Sequence, residues 1–177
     1  MKKLIALFSI LTFLGCKDKD SQSNQDPEAQ QEIKVEQNDF FKVSIDLVAK
    51  KDDSFHVFYN EDKSGNFVEE KSVWCEFKGS YSSQTLNFNL PKNVLPNQLR
   101  FDFGVNKEQE EVKINNISIT YLDKKFNISG VDMSKYFNPN ESSTSLVGDI
   151  LKPLSKGQNA SVYPLEPLTI ELEKLFK

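Results

Sequence analysis

The sequence predicts an all-β protein, an antiparallel β-sandwich with an irregular C-terminal extension. Three observations carry this. Apolar and polar residues alternate from residue 40 to 126, the period of a half-buried strand. Clusters of turn-forming residues interrupt the alternation at short spacing. No long stretch of that interval sustains a helical period.

The strands follow in order. Val43, Ile45 and Leu47 alternate with Lys42, Ser44 and Asp46. Phe55, Val57 and Tyr59 form the next run, followed by Val73, Cys75 and Phe77. Leu86, Phe88 and Leu90 come next, then Leu99, Phe101 and Phe103. Between the runs lie Lys51-Asp52-Asp53, the segment 62–66 around Gly65, Gly79-Ser80, the segment 91–96 between two prolines, and Gly104-Val105-Asn106. Val112 and Ile114 alternate, and Ile117, Ile119 and Tyr121 alternate on the opposite parity. One extra residue at Asn115-Asn116 predicts a bulge that keeps both halves facing one core.

Residues 127–177 are less regular. Asp132 is positioned to cap a short helical turn through Met133 to Phe137, with Asn138-Pro139-Asn140 stopping it. Pro153, Gly157, Pro164 and Pro167 predict a long irregular connection over 150–167. At the end, Thr169 to Glu173 alternate like a strand, whereas Leu168, Leu172 and Leu175 fit a helix. A last strand is the favoured expectation.

The N-terminus predicts an address. Lys2 and Lys3 precede an apolar run from Leu4 to Phe13, and Gly15-Cys16 follows. Ten residues make about 15 Å of helix, half of a roughly 30 Å hydrocarbon core. Residues 1–15 therefore read as an export signal rather than a membrane span. Leu14-Gly15-Cys16 resembles a bacterial lipobox, which implies that Cys16 is acylated and becomes the mature N-terminus. An ordinary signal peptide with a chance cysteine does not account for Cys16 standing directly before the charged run Lys17 to Asp20. Residues 16–38 are polar and acidic, without an aromatic residue, and predict a flexible tether. If flexible, about 20 residues span roughly 25 Å. Residues 39–177 form the single domain. The expected address is the bacterial cell envelope, with the protein lipid-anchored on the periplasmic or outer surface of a membrane.

Composition excludes several classes. Removing residues 1–15 takes away two lysines and no acid, which moves the net charge from −4 to −6. Nucleic-acid binding needs clustered cations, so it is not expected. Membrane attachment falls to the lipid on Cys16. With Cys16 acylated, Cys75 stands alone and no internal disulfide forms. His56 is the only histidine, which excludes a zinc site of the usual His/Cys type. No cofactor is expected. Calcium, an oxygen-bound cation, is the one metal class left open. Asn60, Asp62 and Ser64 alternate before Gly65 in a calcium-loop style. The twelfth position from Asn60 is Lys71, where such a loop needs glutamate, so a plain acidic turn is favoured.

The segment Leu99 to Tyr121, LRFDFGVNKEQEEVKINNISITY, resembles the closing strands of galactose-binding-like jelly-roll domains, which include many carbohydrate-binding modules. The matching positions are Phe101, Phe103, Gly104, Val112, Ile114, Asn115, Asn116, Ile117 and Ile119. The stretch from Ser54 to Ser80 resembles an early hairpin of such domains on exported proteins of the Bacteroidota. The resemblance covers residues 40–126 and implies a jelly-roll sandwich. Such modules often carry an aspartate in the small polar pair; here both positions are asparagine, which argues against an inherited calcium site.

Trp74 is the only tryptophan. If Cys75 is buried with Val73 and Phe77, alternation places Trp74 on the polar face with Glu76. An exposed indole is a sugar-stacking surface, so Trp74, His56 and Glu76 are the candidate ligand-binding residues. His56 has no nucleophile or orienting acid at a recognisable spacing and reads as a solvated surface residue. Phe58 beside it predicts that this strand is covered on both faces, with the C-terminal segment as the cover. The acid pairs Asp52-Asp53, Glu69-Glu70 and Glu110-Glu111 are the remaining glycosidase candidates, but 26 acids make such pairs expected by chance. GxSxG, HExxH, GxGxxG and P-loop patterns are absent, so no catalytic residue is assigned. The expectation is a non-catalytic, membrane-anchored binding module with a glycan as favoured ligand. The alternative is a structural or assembly lipoprotein docking onto an envelope protein complex; a small hydrolase ranks last.

Overall fold

The computed structural model describes residues 39–177. The leader, Cys16 and the whole tether, residues 16–38, lie outside the described residues. The domain is an antiparallel β-sandwich. Its strands are β1 (Lys42–Ala49), β2 (Asp53–Asn60), β3 (Ser72–Phe77), β4 (Gln84–Asn89), β5 (Gln98–Phe103), β6 (Val112–Tyr121), β7 (Lys124–Ser129), β8 (Phe137–Pro139), β9 (Thr144–Val147), β10 (Ile150–Pro153) and β11 (Ala160–Pro164). A helix, α1 (Glu166–Phe176), ends the chain. One sheet runs β4-β1-β6-β10-β9, with β7 also paired to β6; the other runs β3-β2-β5-β11-β8. The chain crosses between sheets at β1–β2, β3–β4, β4–β5, β5–β6, β7–β8, β8–β9 and β10–β11.

Alternation in the sequence becomes two faces. Val43, Ile45 and Leu47 of β1 point into the core with Leu86 and Phe88 of β4. Phe55 and Val57 of β2, with Leu99, Phe101 and Phe103 of β5, meet them from the opposite sheet. Each such side chain contributes roughly 1.5–3 kcal/mol by leaving water. The predicted bulge is present in β6. Asp46 pairs with Asn116 and Leu47 with Ile114, so Asn115 is the extra residue. Ile114 and Ile117 are both buried as a result.

Four expectations are corrected. Residues 168–177 are helical, not a strand: α1 has Pro167 in its first turn, where the missing N–H costs nothing, and Leu168, Leu172 and Leu175 buried on one face. A strand would have buried Ile170, which is 48% exposed. The region 150–167 is not a plain connection, since β10 joins one sheet through β6 and β11 the other through β5. Around Asp132 the helical segment is a 3-10 turn over Gly130–Lys135; Asp132 lies inside it and pairs with Lys135 rather than capping it. Its end is also earlier than expected, because Phe137–Pro139 are strand β8. Cys75 is only partly buried, packed against the core from β3, which is the edge strand of its sheet. Among the described residues, no helix is long and apolar enough to cross a membrane.

Candidate functional site

Strand pairing lines up one row of outward side chains across the five-stranded sheet. Trp74 of β3 pairs with His56 of β2, His56 with Asp102 of β5, and Asp102 with Ser161 of β11. The neighbouring row sets Ser72 against Phe58 and Phe58 against Arg100. The β2–β3 connection folds back over this face. Phe67 meets Phe58 edge-on at 6.4 Å and Tyr163 at 6.2 Å.

Trp74 is 46% exposed. One face of its ring stacks on His56, with centroids 3.5 Å apart and planes 26° apart. Its Nε1 donates a 3.0 Å hydrogen bond to Glu69 Oε1. The indole is therefore held on one face and at its polar edge, and no other ring stacks on it among the described residues.

His56 is not a solvated surface residue. It is 5% exposed, beneath Trp74 and 4.1 Å from the Phe58 ring centroid. Its outward position placed it on the polar face, but Trp74 and the folded-back connection cover that position. Glu69 Oε1 lies 3.4 Å from His56 Nε2 without hydrogen-bond geometry, so that nitrogen has no partner among the described residues. Burial holds the imidazole below its ordinary pKa, and the Arg100 charge acts in the same direction; Glu69 opposes both. Neutral His56 is thus the favoured packing partner of the indole at pH 7.

Arg100 is the only arginine of the chain. Its guanidinium sits 4.8 Å from the Phe58 ring and 4.9 Å from the Tyr163 ring. It donates two hydrogen bonds to Asp102, of 2.8 and 2.6 Å. Burial raises the Asp102 pKa, and the Arg100 charge counters this. The pair locks the floor beside His56 and leaves little of its fork for a ligand. Phe58 is covered by Phe67 and Arg100, not by the C-terminal helix.

Glu76 is exposed on the face of Trp74, two residues further along β3. It lines an opening of about 510 Å³ with Asp52, Lys78 and Asn106. Asn60, Asp62 and Ser64 are engaged within their own turn. Asn60 Nδ2 donates to Ser64 Oγ at 2.8 Å, Asn60 Oδ1 accepts from the Asp62 N–H, and Asp62 Oδ1 accepts from the Ser64 N–H. These are the bonds of Asx-type turns. Among the described residues, no group of three or more His, Cys, Asp or Glu is placed to hold a metal. The acid pairs separate: Asp52 pairs with Lys78, Asp53 is buried, and Glu111 pairs with Lys50.

Sequence reasoning missed Arg100, Asp102 and Phe67, and weighed Glu69 only as one of an acid pair and not as the partner of Trp74. Arg100 and Asp102 were within reach, because they alternate with the buried Leu99, Phe101 and Phe103. Glu69 and Phe67 were not, because nothing local shows that a connection folds onto a sheet face. Compared with known proteins, the chain matches no family model, and no curated protein matches it.

Proposed function

We propose that this is a membrane-anchored lipoprotein whose sandwich domain binds a glycan without catalysis, with Trp74 as the stacking surface. The observation that carries this is the half-exposed indole pinned on one face by His56 and at its Nε1 by Glu69. A fixed aromatic face loses little freedom when a sugar ring settles on it. Glu76 stands on the same strand face, within reach of hydroxyl groups of a bound sugar. The resemblance to galactose-binding-like jelly rolls supports the ligand class, though a fold is no substitute for a site.

Purified protein and its Trp74→Ala variant on a glycan array test this directly. Wild type is expected to retain a set of glycans that the variant does not. Because Trp74 also covers His56 and donates to Glu69, the variant should melt somewhat earlier, and circular dichroism at the assay temperature should show it still folded. Early melting with glycan retention intact would make Trp74 a purely structural residue. The anchor is tested by fractionation: Cys16→Ser should move the protein from the membrane to the soluble fraction, and persistence in membranes would refute acylation at Cys16.

A further inference from the structure

We propose that the outer face of the six-stranded sheet is a second binding site, one for an acidic polysaccharide. The ligand class rests on the reading of the domain as a glycan binder; the site itself does not involve Trp74. Strand register sets twelve outward side chains of β4, β1, β6 and β7 in three rows, and every one is Ser, Thr, Asn, Lys or Asp. An open cavity of about 300 Å³ is lined by eight of them, with Lys42 and Lys125 at one end and Asp46 at the other.

Two features go beyond a polar sheet face. The first is Ser118, in the middle row between Ser44 and Asn127. It is 9% exposed, lines the cavity, and its hydroxyl has no hydrogen-bond partner among the described residues. Its neighbours Ile117 and Ile119 point into the core, which aims Ser118 outward. Its hydroxyl opens to the cavity, where a ligand hydroxyl can take the place of water. The second is the end row, where Thr120 pairs with Lys42 on one side and Lys125 on the other. Two strand spacings separate the lysine backbones by about 10 Å. Neither lysine has an ion-pair partner among the described residues. The one acid of the twelve, Asp46, lies four residues from Lys42 on β1, about 13 Å away. Ser83 donates a hydrogen bond to its carboxylate.

Two unpaired ammonium groups flanking a threonine hydroxyl fit one anionic substituent, the carboxylate of a uronic acid or a sulfate ester. The uncharged row beyond them fits the hydroxyls of the same sugar and its neighbour. No aromatic residue stands among the twelve, so recognition here is polar, unlike stacking on Trp74. Two cations are too few for a nucleic acid, whose binding depends on many phosphate contacts.

Native affinity gels of the full chain, cast with polygalacturonate, sulfated dextran or neutral dextran, test the proposal. At least one acidic polymer should retard the protein, less so at higher salt, and neutral dextran should not. The acidic polymer that acts distinguishes carboxylate from sulfate. Lys42→Gln with Lys125→Gln should raise the dissociation constant at least tenfold. The corresponding double arginine variant should keep binding, and Ser118→Ala should weaken it several-fold. Melting temperatures of all variants report on the fold independently. Absence of retardation by both acidic polymers would overturn the proposal, as would equal retardation by neutral dextran or by the double glutamine variant. Trp74→Ala should leave this retardation unchanged, so this site and the Trp74 surface succeed or fail separately.

Discussion

Phe137→Ala should destabilise the domain by about 3–5 kcal/mol, the cost of removing a buried phenyl ring and leaving a cavity. Phe137 is 1% exposed, and its ring centroid lies 4.9 Å from that of Phe101 in the centre of the five-stranded sheet. Phe101 in turn meets Phe103 edge-on at 6.1 Å. Phe137 belongs to β8, whose only strand partner is β11, so the substitution asks whether the C-terminal region is part of the core. Urea unfolding reads the answer: the midpoint should fall with the slope unchanged. A loss within about 0.5 kcal/mol would mean that residues 127–177 hang on the sandwich without supporting it.

Asp53→Ala should cost roughly 3 kcal/mol or more. Asp53 opens β2 and is 8% exposed. Its Oδ1 accepts from the backbone N–H groups of Ser54, Val105 and Asn106 at 2.8, 2.8 and 2.9 Å. Its Oδ2 accepts from Gln109 Nε2 at 3.0 Å. One carboxylate thus ties the turn after β5 to the start of β2. Gly104 makes room for it: with φ at +99°, a side chain there would be strained, and a Cβ would lie 2.5 Å from Asp53 Oδ2. Each buried donor left without an acceptor costs about 1–3 kcal/mol, and solvent entering the turn recovers part of that. Asp53→Asn keeps the Oδ1 acceptor and should retain more stability than Asp53→Ala. Equal stability of wild type and the alanine variant in urea would show that the turn holds without its carboxylate.

These two residues mark where the sequence was legible and where it was not. The alternation that placed Phe55, Phe101 and Ile117 inside is local, because a period of two needs only neighbours along one strand. Asn115 was legible for the same reason: a parity change within one apolar run leaves a bulge as its simplest solution. Phe137 was not legible, since a three-residue strand is too short to show a period. The helix at the end was ambiguous because Leu168 and Leu172 satisfy both periods; Leu175 fits only the helix and Ile170 only the strand, and which of the two is buried shows in three dimensions alone. At the site, Trp74 and Glu76 stand on the outward face that alternation gave them. His56 has the same parity but is buried, because burial on that face depends on which loop covers it. Glu69 reaches Trp74 only through the fold of the β2–β3 connection.

The central claim is that the free face of Trp74 receives a sugar ring. Because Trp74 is the only tryptophan, indole fluorescence reports on that surface alone. The most direct measurement is acrylamide quenching of the emission of the purified protein, with and without a saturating glycan retained by the array. Without glycan, the half-exposed ring should be readily quenched. With glycan bound, quenching should fall severalfold, since the one open face is then covered. Unchanged quenching at saturation would place the ligand elsewhere and contradict the role assigned to Trp74.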